Sequence, residues 1–381
     1  MAEQRMKGGV IRRGNTWSYV VRERDPETGK TKPRWVGGFR TQAEAKSARA
    51  AAQTAQARGT YVAPRKLTVG EWLDQWMAGH EVTLKPSTAE SYRANIDRYL
   101  KPRLAHERLQ GLSPARLSVV FRELYESGGH NGKPLSPRTV EFARAVLRRA
   151  LADAVVERLI EVNPVVGTKR PKVDKPKHTT WTGEQLATYL ANDEHRLAPL
   201  FALAAATGMR RGELLALRWA DVDLDAGVVS VDRAVVQIAQ ERRYSTPKNH
   251  ERRQVSIDPR TMAILRGLRK RQLEERLQWG ASYAGTEDLV FTWENGSPLL
   301  PDYVSKEFVR TQRGTGLPRL KMHELRHSHA TLLLRAGVPV HVVAKRLGHR
   351  DPSVTLNVYA DAIPDDDGRA VDVYSKVVHG A

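Results

Sequence analysis

The sequence predicts a multidomain chain that is mainly α-helical, with small β-sheets. Its 381 residues exceed the size of one ordinary domain, so two or three domains are expected. Apolar residues recur at helical spacing through most of the chain, and many of these runs begin at a capping residue. Strand-like runs are confined to the N-terminus and to part of the second half. We therefore expect a small sheet plus helix, then a helical domain, then a mixed α/β domain.

Residues 1–65 predict a three-stranded sheet followed by one helix. The stretch NTWSYVVRERDPETGKTKPRWVGGF indicates two strands around a turn, and GGVIRRGN supplies a third. In the next run, Thr41 and Glu44 form a capping box and Gly59 ends the helix. The segment holds 14 Lys and Arg against 5 Asp and Glu. Such a basic sheet fits a DNA groove, although a β-module with a solvated basic face has the same composition.

Residues 66–166 predict four helices. Capping boxes at Thr68 and Ser87 mark two starts, and Ser-Pro pairs at 113–114 and 136–137 mark the other two. In the fourth helix the apolar residues share one face and the arginines fall mostly on the others. This pattern predicts a helical domain with a basic side.

The segment 167–179 predicts an extended basic linker, because GTKRPKVDKPKH has neither helical nor strand spacing. Such a segment suits a phosphate backbone, and a plain tether has the same pattern. The largest predicted domain, 180–381, combines helices with the strand-like runs GVVSVDRAVVQIA, RRYSTPKN, RRQVSID and LVFTW. Within it, YSTPKNHERRQVSI is predicted to be a hairpin.

The overall charge points to a polyanionic partner. The 62 Lys and Arg exceed the 43 Asp and Glu by 19, and nucleic acid is the commonest partner at such a charge; a basic protein without that role is the alternative. The absence of cysteine excludes disulfides, thiolate metal sites and a cysteine nucleophile. The start MAEQRMKGGVIRR lacks a signal-peptide core, and no run of 18 apolar residues occurs. We therefore expect a soluble, cytoplasmic protein with no membrane partner.

A first candidate cation stands at a helix start in ATGMRRGELLALRW. Arg210 precedes the apolar residues of that helix. Helix N-termini favour anions and disfavour cations, so an arginine at this place calls for an anion. Either Glu213 in the same turn or a bound phosphate would supply it.

The most informative stretch is HELRHSHATLLL. Its residues His323, Arg326 and His327 lie at i, i+3 and i+4 and share one helical face. The two histidines have the spacing of a metal site, but the arginine between them would repel a divalent cation. Arginine and histidine suit a phosphodiester, since Arg offers a bidentate fork and His moves a proton near neutral pH. For His327, a buried and hydrogen-bonded structural role is the alternative.

Three further positions complete the set. His349 lies where Gly348 ends one predicted helix and Asp351-Pro352 begins the next. Tyr359 lies near the end of that next helix, and Lys248 lies at the tip of the predicted hairpin. Each of these last two residues alone also has an ordinary structural interpretation. Tyr359 by itself is equally typical of a packing residue, and Lys248 by itself is typical of a solvated surface lysine.

Together these stretches resemble the tyrosine recombinases, and in particular the phage-type integrases. That family carries Arg, Lys, His-x-x-Arg, His and Tyr in this chain order. Here TGMRRGE, TPKNH, HELR, LGH and LNVYA match the pattern, with the members Arg210, Lys248, His323, Arg326, His349 and Tyr359. The specific motifs lie within 206–360, whereas the N-terminal likeness is one of composition and layout. The spacing from His349 to Tyr359 suits some family members, while others are one residue shorter.

The resemblance implies a reaction at DNA. Tyr359 would attack a phosphodiester and form a 3′-phosphotyrosine, while Arg210 and Arg326 hold the non-bridging oxygens. His323 and His349 would hydrogen-bond the phosphate, and His323 would also accept the tyrosine proton. Lys248 would protonate the leaving 5′-oxygen. No metal, nucleotide or other cofactor is implied.

The resemblance also implies domains and partners. Residues 1–65 would bind arm-type sites, 66–166 would bind the core-type site, and 180–381 would be catalytic. The partners would be double-stranded DNA and a homotetramer in a bacterial host, with an excisionase and a host DNA-bending protein as open questions. The tail from Asp361 would pack on a neighbouring subunit or stay an acidic tail. Candidate DNA contacts are Arg12, Arg13, Arg22, Arg24, Arg34, Arg144, Arg148, Lys169, Arg170 and Lys172.

Three other functions fit parts of the pattern. A chromosome-dimer resolvase or a topoisomerase-like enzyme would use the same chemistry, but the extra N-terminal module favours an integrase. A DNA-binding regulator without chemistry would be expected to have lost catalytic positions, and all of them are present.

Overall fold

The computed structural model describes residues 9–24, 30–173, 179–191, 194–238, 241–245, 252–360 and 367–379. The chain divides into two compact units, 1–174 and 175–381. This boundary falls inside the predicted linker. Among the described residues, no helix has both the length and the apolar composition needed to cross a bilayer.

The N-terminal module is an antiparallel sheet with one helix packed on it. Its elements are β1 (Val10–Arg13), β2 (Thr16–Arg24), β3 (Thr31–Phe39) and α1 (Gln42–Ala57), with β2 in the centre. The Thr41 hydroxyl accepts the Glu44 N–H, and the Glu44 carboxylate accepts the Thr41 N–H, so the predicted capping box is confirmed. The core between sheet and helix contains Val10, Tyr19, Val21, Ala45 and Ala52.

The four predicted helices of the next segment are present. They are α2 (Val69–His80), α3 (Pro86–Asn95) continued through a π-helical turn (Ile96–Leu100) into α4 (Lys101–Leu104), α5 (Pro114–Ser127) and α6 (Pro137–Val156). The caps at Thr68, Ser113 and Ser136 form as predicted. The capping box predicted at Ser87 is wrong, because α3 already begins at Pro86, whose missing N–H costs nothing at N1.

Two indole hydrogen bonds join α2 to α6. Trp72 Nε1 donates to the Ala150 carbonyl at 3.0 Å, and Trp76 Nε1 donates to Asp153 at 2.6 Å. Both rings are buried. Each tryptophan therefore adds a large apolar area to the core while its one polar atom stays satisfied.

Arg144 of α6 corrects one prediction. Its side chain is buried, and its guanidinium donates to the carbonyls of Val165 and Thr168 at 3.3 Å and to the Thr168 hydroxyl at 3.0 Å. A buried charge needs such partners, and these groups supply them. Arg144 therefore fastens the turn Pro164–Gly167 onto α6, and this structural role replaces the predicted DNA contact.

The second unit is mainly helical around a few short strands. Its core contains the large buried side chains Trp181, Phe201 and Phe308. The helices are α7 (Gly183–Leu190), α8 (Ala198–Thr207), α9 (Arg211–Ala216), α10 (Pro259–Trp279), α11 (Pro301–Arg310), α12 (Met322–Arg335), α13 (Val340–Leu347), α14 (Pro352–Tyr359) and α15 (Asp367–His379). The strands are β4 (Val222–Asp223), β5 (Val228–Val231), β6 (Ala234–Ile238), β7 (Glu241–Ser245) and β8 (Arg253–Ser256).

The strand pairing differs from the predicted hairpin. Strand β5 pairs antiparallel with β4 and β8, whereas β6 pairs with β7. YSTPKNHERRQVSI is therefore not a hairpin, because its two strands, β7 and β8, belong to different sheets. Lys248 lies between them, outside the described residues. The predicted strand LVFTW is also absent: Leu289 and Thr292 form only isolated bridges.

Candidate active site

A buried carboxylate holds Arg210 at the start of α9. Gly208 ends α8 in the left-handed region, at φ +65°, where a Cβ would lie 2.7 Å from Leu347 Cδ2. Beyond this turn, Arg210 is the N-cap of α9. Glu213, only 1% exposed, accepts the Arg210 backbone N–H at 2.9 Å and its guanidinium at 3.0 Å. Of the two anions predicted for Arg210, the carboxylate is therefore supplied by the chain itself.

Arg253 on β8 is a second cation on the same carboxylate. Its guanidinium donates to both Glu213 oxygens, at 3.2 and 2.7 Å, and its Nε donates to the Arg346 carbonyl at 3.0 Å. Burial acts to raise the pKa of Glu213, but the hydrogen bonds and charges of Arg253 and Arg210 bring it below its usual value. Sequence reasoning missed Arg253, because nothing local distinguishes it from Arg252.

Arg326 of α12 joins two turns of the site. Its two terminal nitrogens donate to the carbonyls of Gly208 and Leu347, each at 2.7 Å. Burial, and then the charge of Arg210, lower the pKa of Arg326 to about 9, so it stays charged at neutral pH. Because Gly208 precedes Arg210 and Leu347 precedes His349, one guanidinium fixes the turns that carry two other site residues.

His349 follows Gly348, which ends α13 in the left-handed region at φ +70°. Its Nδ1 lies 2.7 Å from the Thr355 hydroxyl. The pKa of His349 is lowered to about 4, first through burial and then through the charges of Arg326, Arg210, Arg253 and His323. The imidazole is therefore neutral at pH 7, and the site already holds a strong surplus of positive charge.

Tyr359, the last residue of α14, is 5% exposed and contacts His327. Its hydroxyl lies 2.6 Å from His327 Nδ1. Burial raises the pKa of Tyr359 to about 12, and the charge of Arg326 offsets part of that rise. The phenol is thus protonated at neutral pH, beside an imidazole nitrogen. His327 is buried and hydrogen-bonded, as its structural alternative predicted, but its partner is the candidate nucleophile itself.

His323 lies on the other side of His327. The two rings meet edge to face with centroids 5.1 Å apart, and the His327 and Tyr359 centroids are 5.4 Å apart. The sequence prediction gave the tyrosine proton to His323, whereas His327 is the imidazole in direct contact with the hydroxyl. In the part of the chain that the structure describes, no three His, Asp or Glu side chains converge as a metal site.

Two basic cavities adjoin this cluster. One, of about 460 Å³, is lined by Arg210, Arg211, Lys321 and His323 among others. The other, of about 850 Å³, is lined by Arg252, Arg253, Lys345, His349 and Arg350 among others. An anionic strand reaching the cluster from either side would therefore meet further cations.

Three family profiles match the chain in sequence order. The profile of the Phage integrase family matches residues 181–365, which contain all the site residues described above. The Arm DNA-binding domain matches residues 10–55, and the Phage integrase N-terminal SAM-like domain matches residues 68–123. The chain belongs to the phage integrase family of tyrosine recombinases.

Curated relatives match this integrase over most of their length. A XerC-like tyrosine recombinase of Caldanaerobacter subterraneus is 29% identical, across 80% of the integrase and 82% of the relative. The ICEBs1 integrase of Bacillus subtilis is 24% identical, across 76% and 77%. The integrase is a site-specific tyrosine recombinase, an enzyme that cuts and rejoins DNA.

Solved structures share its fold. The Tn1549 transposon integrase in complex with a circular intermediate DNA has a TM-score of 0.67 at 19% identity, across 80% of this integrase and 98% of that chain. A lambda integrase tetramer bound to a Holliday junction has a TM-score of 0.61 at 19% identity, across 94% and 97%. The predicted fold class, mainly helical with small sheets in several domains, is confirmed.

The N-terminal sheet of the integrase separates its predicted DNA contacts by face. Strand register puts Arg13 and Arg22 on the face opposite α1, together with Trp35, and the Arg13 guanidinium lies 3.9 Å from the Trp35 ring. Arg12 and Arg34 share the face of the buried core, and Arg34 donates to the Pro64 carbonyl. Only the first pair therefore lies on the face that α1 leaves open; the Arg24 side chain lies outside the described residues.

The other predicted DNA contacts are exposed. Arg148, Lys169 and Lys172 are exposed, and the Arg170 side chain is 73% exposed while it pairs with Glu141 at 2.7 Å. Because the Arg170 side chain is largely open to solvent, which screens the pair, its guanidinium can exchange this partner for a phosphate. These four residues stay predictions.

A second buried imidazole, His329, is expected to make the stability of the integrase depend on pH. Its Nδ1 donates to the Ala205 carbonyl at 2.8 Å, and its Nε2 accepts from Arg346 Nε at 3.0 Å. Burial, and then the charge of Arg346, lower the pKa of His329 to about 4. The unfolded chain, with an ordinary histidine, binds its proton at higher pH than the folded chain does.

His329→Gln is therefore expected to flatten the pH dependence of folding. Between about pH 6.5 and pH 4, the wild-type free energy of unfolding should fall as pH falls, by on the order of 1 kcal/mol per pH unit from His329. The variant cannot ionise and loses this contribution. Urea unfolding at several pH values measures it, with His341→Gln, on an exposed histidine, as the control. Equal slopes in wild type and His329→Gln would contradict the assignment.

Proposed function

We propose that Tyr359 is the nucleophile with which this integrase cleaves DNA. The observation that carries the proposal is the contact between its hydroxyl and His327. The positive charge of Arg326 also acts on this hydroxyl and favours its ionised form. A phenol, an imidazole nitrogen and a guanidinium meet in one buried place. Transfer of a phosphoryl group to tyrosine needs a nucleophile, a proton acceptor and a fixed positive charge, and these three groups supply them.

The cleavage step conserves bonds and protons. Tyr359 Oη forms a bond to the scissile phosphorus, His327 Nδ1 accepts the phenol proton, and the bond from phosphorus to the 5′-oxygen breaks. Lys248 donates a proton to that departing oxygen; its role rests on the family pattern alone. The 3′-phosphotyrosine keeps the bond energy, and a 5′-hydroxyl from a partner strand then attacks its phosphorus. The bond from phosphorus to Tyr359 Oη breaks, Lys248 takes the proton of the attacking hydroxyl, and His327 returns a proton to the phenol, so the DNA is rejoined.

The fixed cations stabilise the charge that grows on the phosphate. Arg210 and Arg326 bind the non-bridging oxygens, with His323 and His349 as further donors. Arg326 uses N–H groups for two carbonyls and keeps the remainder of its five for the phosphate. The two basic cavities beside this point offer the strand further cations.

A nicked duplex carrying the attachment core, taken from the DNA that flanks the element, tests the proposal. The nick lets the 5′-hydroxyl fragment diffuse away, so a covalent complex accumulates. We expect wild type to form that complex, and mass spectrometry to locate the nucleotide on the peptide that contains Tyr359. A nucleotide on any other residue would refute the assignment.

We also propose that the substrate is double-stranded DNA of a phage or mobile element, with core-type and arm-type sites, and that a homotetramer acts on it. Relatives named for phages and transposons support the first part. The exposed apolar side chains of α15 support a contact with a neighbouring subunit; they are Val371, Tyr374, Val377 and Val378. An excisionase and a host DNA-bending protein are further partners to test in the same recombination assay.

Deleting residues 1–65 separates an integrase from a dimer resolvase. If the open sheet face binds arm-type sites, recombination between full attachment sites should fall by about 100-fold or more, because a second DNA contact on the same chain is lost. Cleavage of the nicked core duplex should persist, since the catalytic cluster is untouched. Unchanged recombination by the truncated protein would favour a resolvase-like enzyme.

A further inference from the structure

We infer that Arg253 is a positioning residue for the reacting phosphate: it neutralises Glu213 and holds the turn that carries His349. The inference rests on the proposed function, because it assumes that Arg210 and His349 bind the scissile phosphate. Nothing in the family pattern of Arg, Lys, His-x-x-Arg, His and Tyr includes this residue.

The contacts of Arg253 reach two parts of the site at once. Its side chain is 7% exposed, and all three guanidinium nitrogens donate to the protein. Two of them bind the carboxylate that also binds Arg210, and the third binds the Arg346 carbonyl in the last turn of α13. That turn ends at Gly348, where a Cβ would lie 2.9 Å from the Arg253 guanidinium. Arg253 therefore packs directly against the backbone that presents His349.

The charges explain why a second arginine is needed. Glu213 is a fully buried carboxylate beside Arg210, and with one cation it would cancel the charge that Arg210 offers to a phosphate. Arg253 supplies the other cation, so the cluster of Arg210, Glu213 and Arg253 keeps a net positive charge to offer to the phosphate of DNA. The same surplus reaches His349, whose pKa is lowered in part by Arg253.

Strand register fixes this position. Arg253 pairs with Val231 of β5, so its side chain direction is set by the sheet. Arg335 on α12 is exposed, lines neither basic cavity and serves as a matched comparison. A lysine at 253 would keep the charge but would lose the bidentate fork.

The test compares two scissile linkages in the nicked core duplex, under single turnover with the full-length protein. One linkage is the natural phosphate, and the other is a methylphosphonate, which lacks the negative charge. Arg253→Met is expected to slow cleavage of the phosphate by about 100-fold and cleavage of the methylphosphonate by far less. Arg210→Met should change the ratio of the two rates in the same direction, Arg253→Lys should be intermediate, and Arg335→Met should leave the ratio at its wild-type value.

The ratio of rates cancels the amount of folded enzyme, so a destabilised variant still answers the question. If Arg253→Met slows both linkages equally, or neither, Arg253 is a structural residue only and the inference is wrong. If wild type forms no covalent complex on the phosphate substrate, the proposed function fails instead. Whether the wild-type protein forms the covalent complex therefore distinguishes failure of the inference from failure of the proposed function.

Discussion

Replacing Tyr359 with phenylalanine is expected to reduce DNA cleavage by about 10⁴-fold or more, because the variant lacks the hydroxyl that we propose forms the covalent bond to phosphorus. The ring should stay in place, since burial and not the hydroxyl accounts for most of its packing. Loss of the bond to His327 should cost about 1 kcal/mol of folding free energy. Covalent complex formation on the nicked duplex measures the first effect, and urea unfolding measures the second.

DNA binding separates a chemical defect from a folding defect. Tyr359→Phe should bind the core duplex as tightly as wild type, because the cations that we propose contact phosphate are unchanged. Tyr125→Phe, at a tyrosine that is 50% exposed on α5, is the matched control and should cleave normally. A Tyr359→Phe protein that still becomes covalently attached to DNA would remove the nucleophile from the scheme.

Arg326→Lys is expected to slow cleavage by about 10³-fold although the charge is kept. A lysine offers one point charge, whereas the guanidinium binds the Gly208 and Leu347 carbonyls and, in the proposed mechanism, a phosphate at the same time. Removing one charged donor from a transition-state site commonly costs two to three powers of ten, and here the neighbouring turns also lose their support. Single-turnover cleavage of the nicked duplex gives the rate.

The stability of the same variant tests the structural half of that argument. Arg326→Lys leaves at least one buried carbonyl without its donor, which should cost about 1–3 kcal/mol of folding free energy. Arg335→Lys, on an exposed arginine of the same helix, should change neither rate nor stability. Wild-type cleavage by Arg326→Lys would show that the phosphate does not use this guanidinium.

The sequence predicted the features that depend on neighbours along the chain. Capping residues such as Thr41 and Ser136 marked helix starts, since a cap acts within one turn. The helical spacing of HELRH put its histidines and arginine on one face, where the structure also has them. The order of the motifs then identified the family that the comparisons confirm.

Features that depend on distant partners were missed. Arg144 looked like a surface cation, but its carbonyl partners lie more than twenty positions along the chain. Strand β8 pairs with β5 and not with β7, which is nearer in the sequence. The alternation of residues within one strand does not indicate which other strand it will pair with. Arg253 acts through Glu213, forty positions away. These contacts join residues that are far apart in the sequence, so only the folded structure identifies them.

Arg326 bridges the Gly208 and Leu347 carbonyls through hydrogen bonds that lie wholly within the protein. The entropy lost in ordering those turns is thus lost once, during folding, and not again at each encounter with a strand. Cleavage should then have a small activation entropy, and its temperature dependence should reflect mainly bond enthalpy. We expect control of cleavage to act away from these two turns, on delivery of the strand and on assembly of the partners around it.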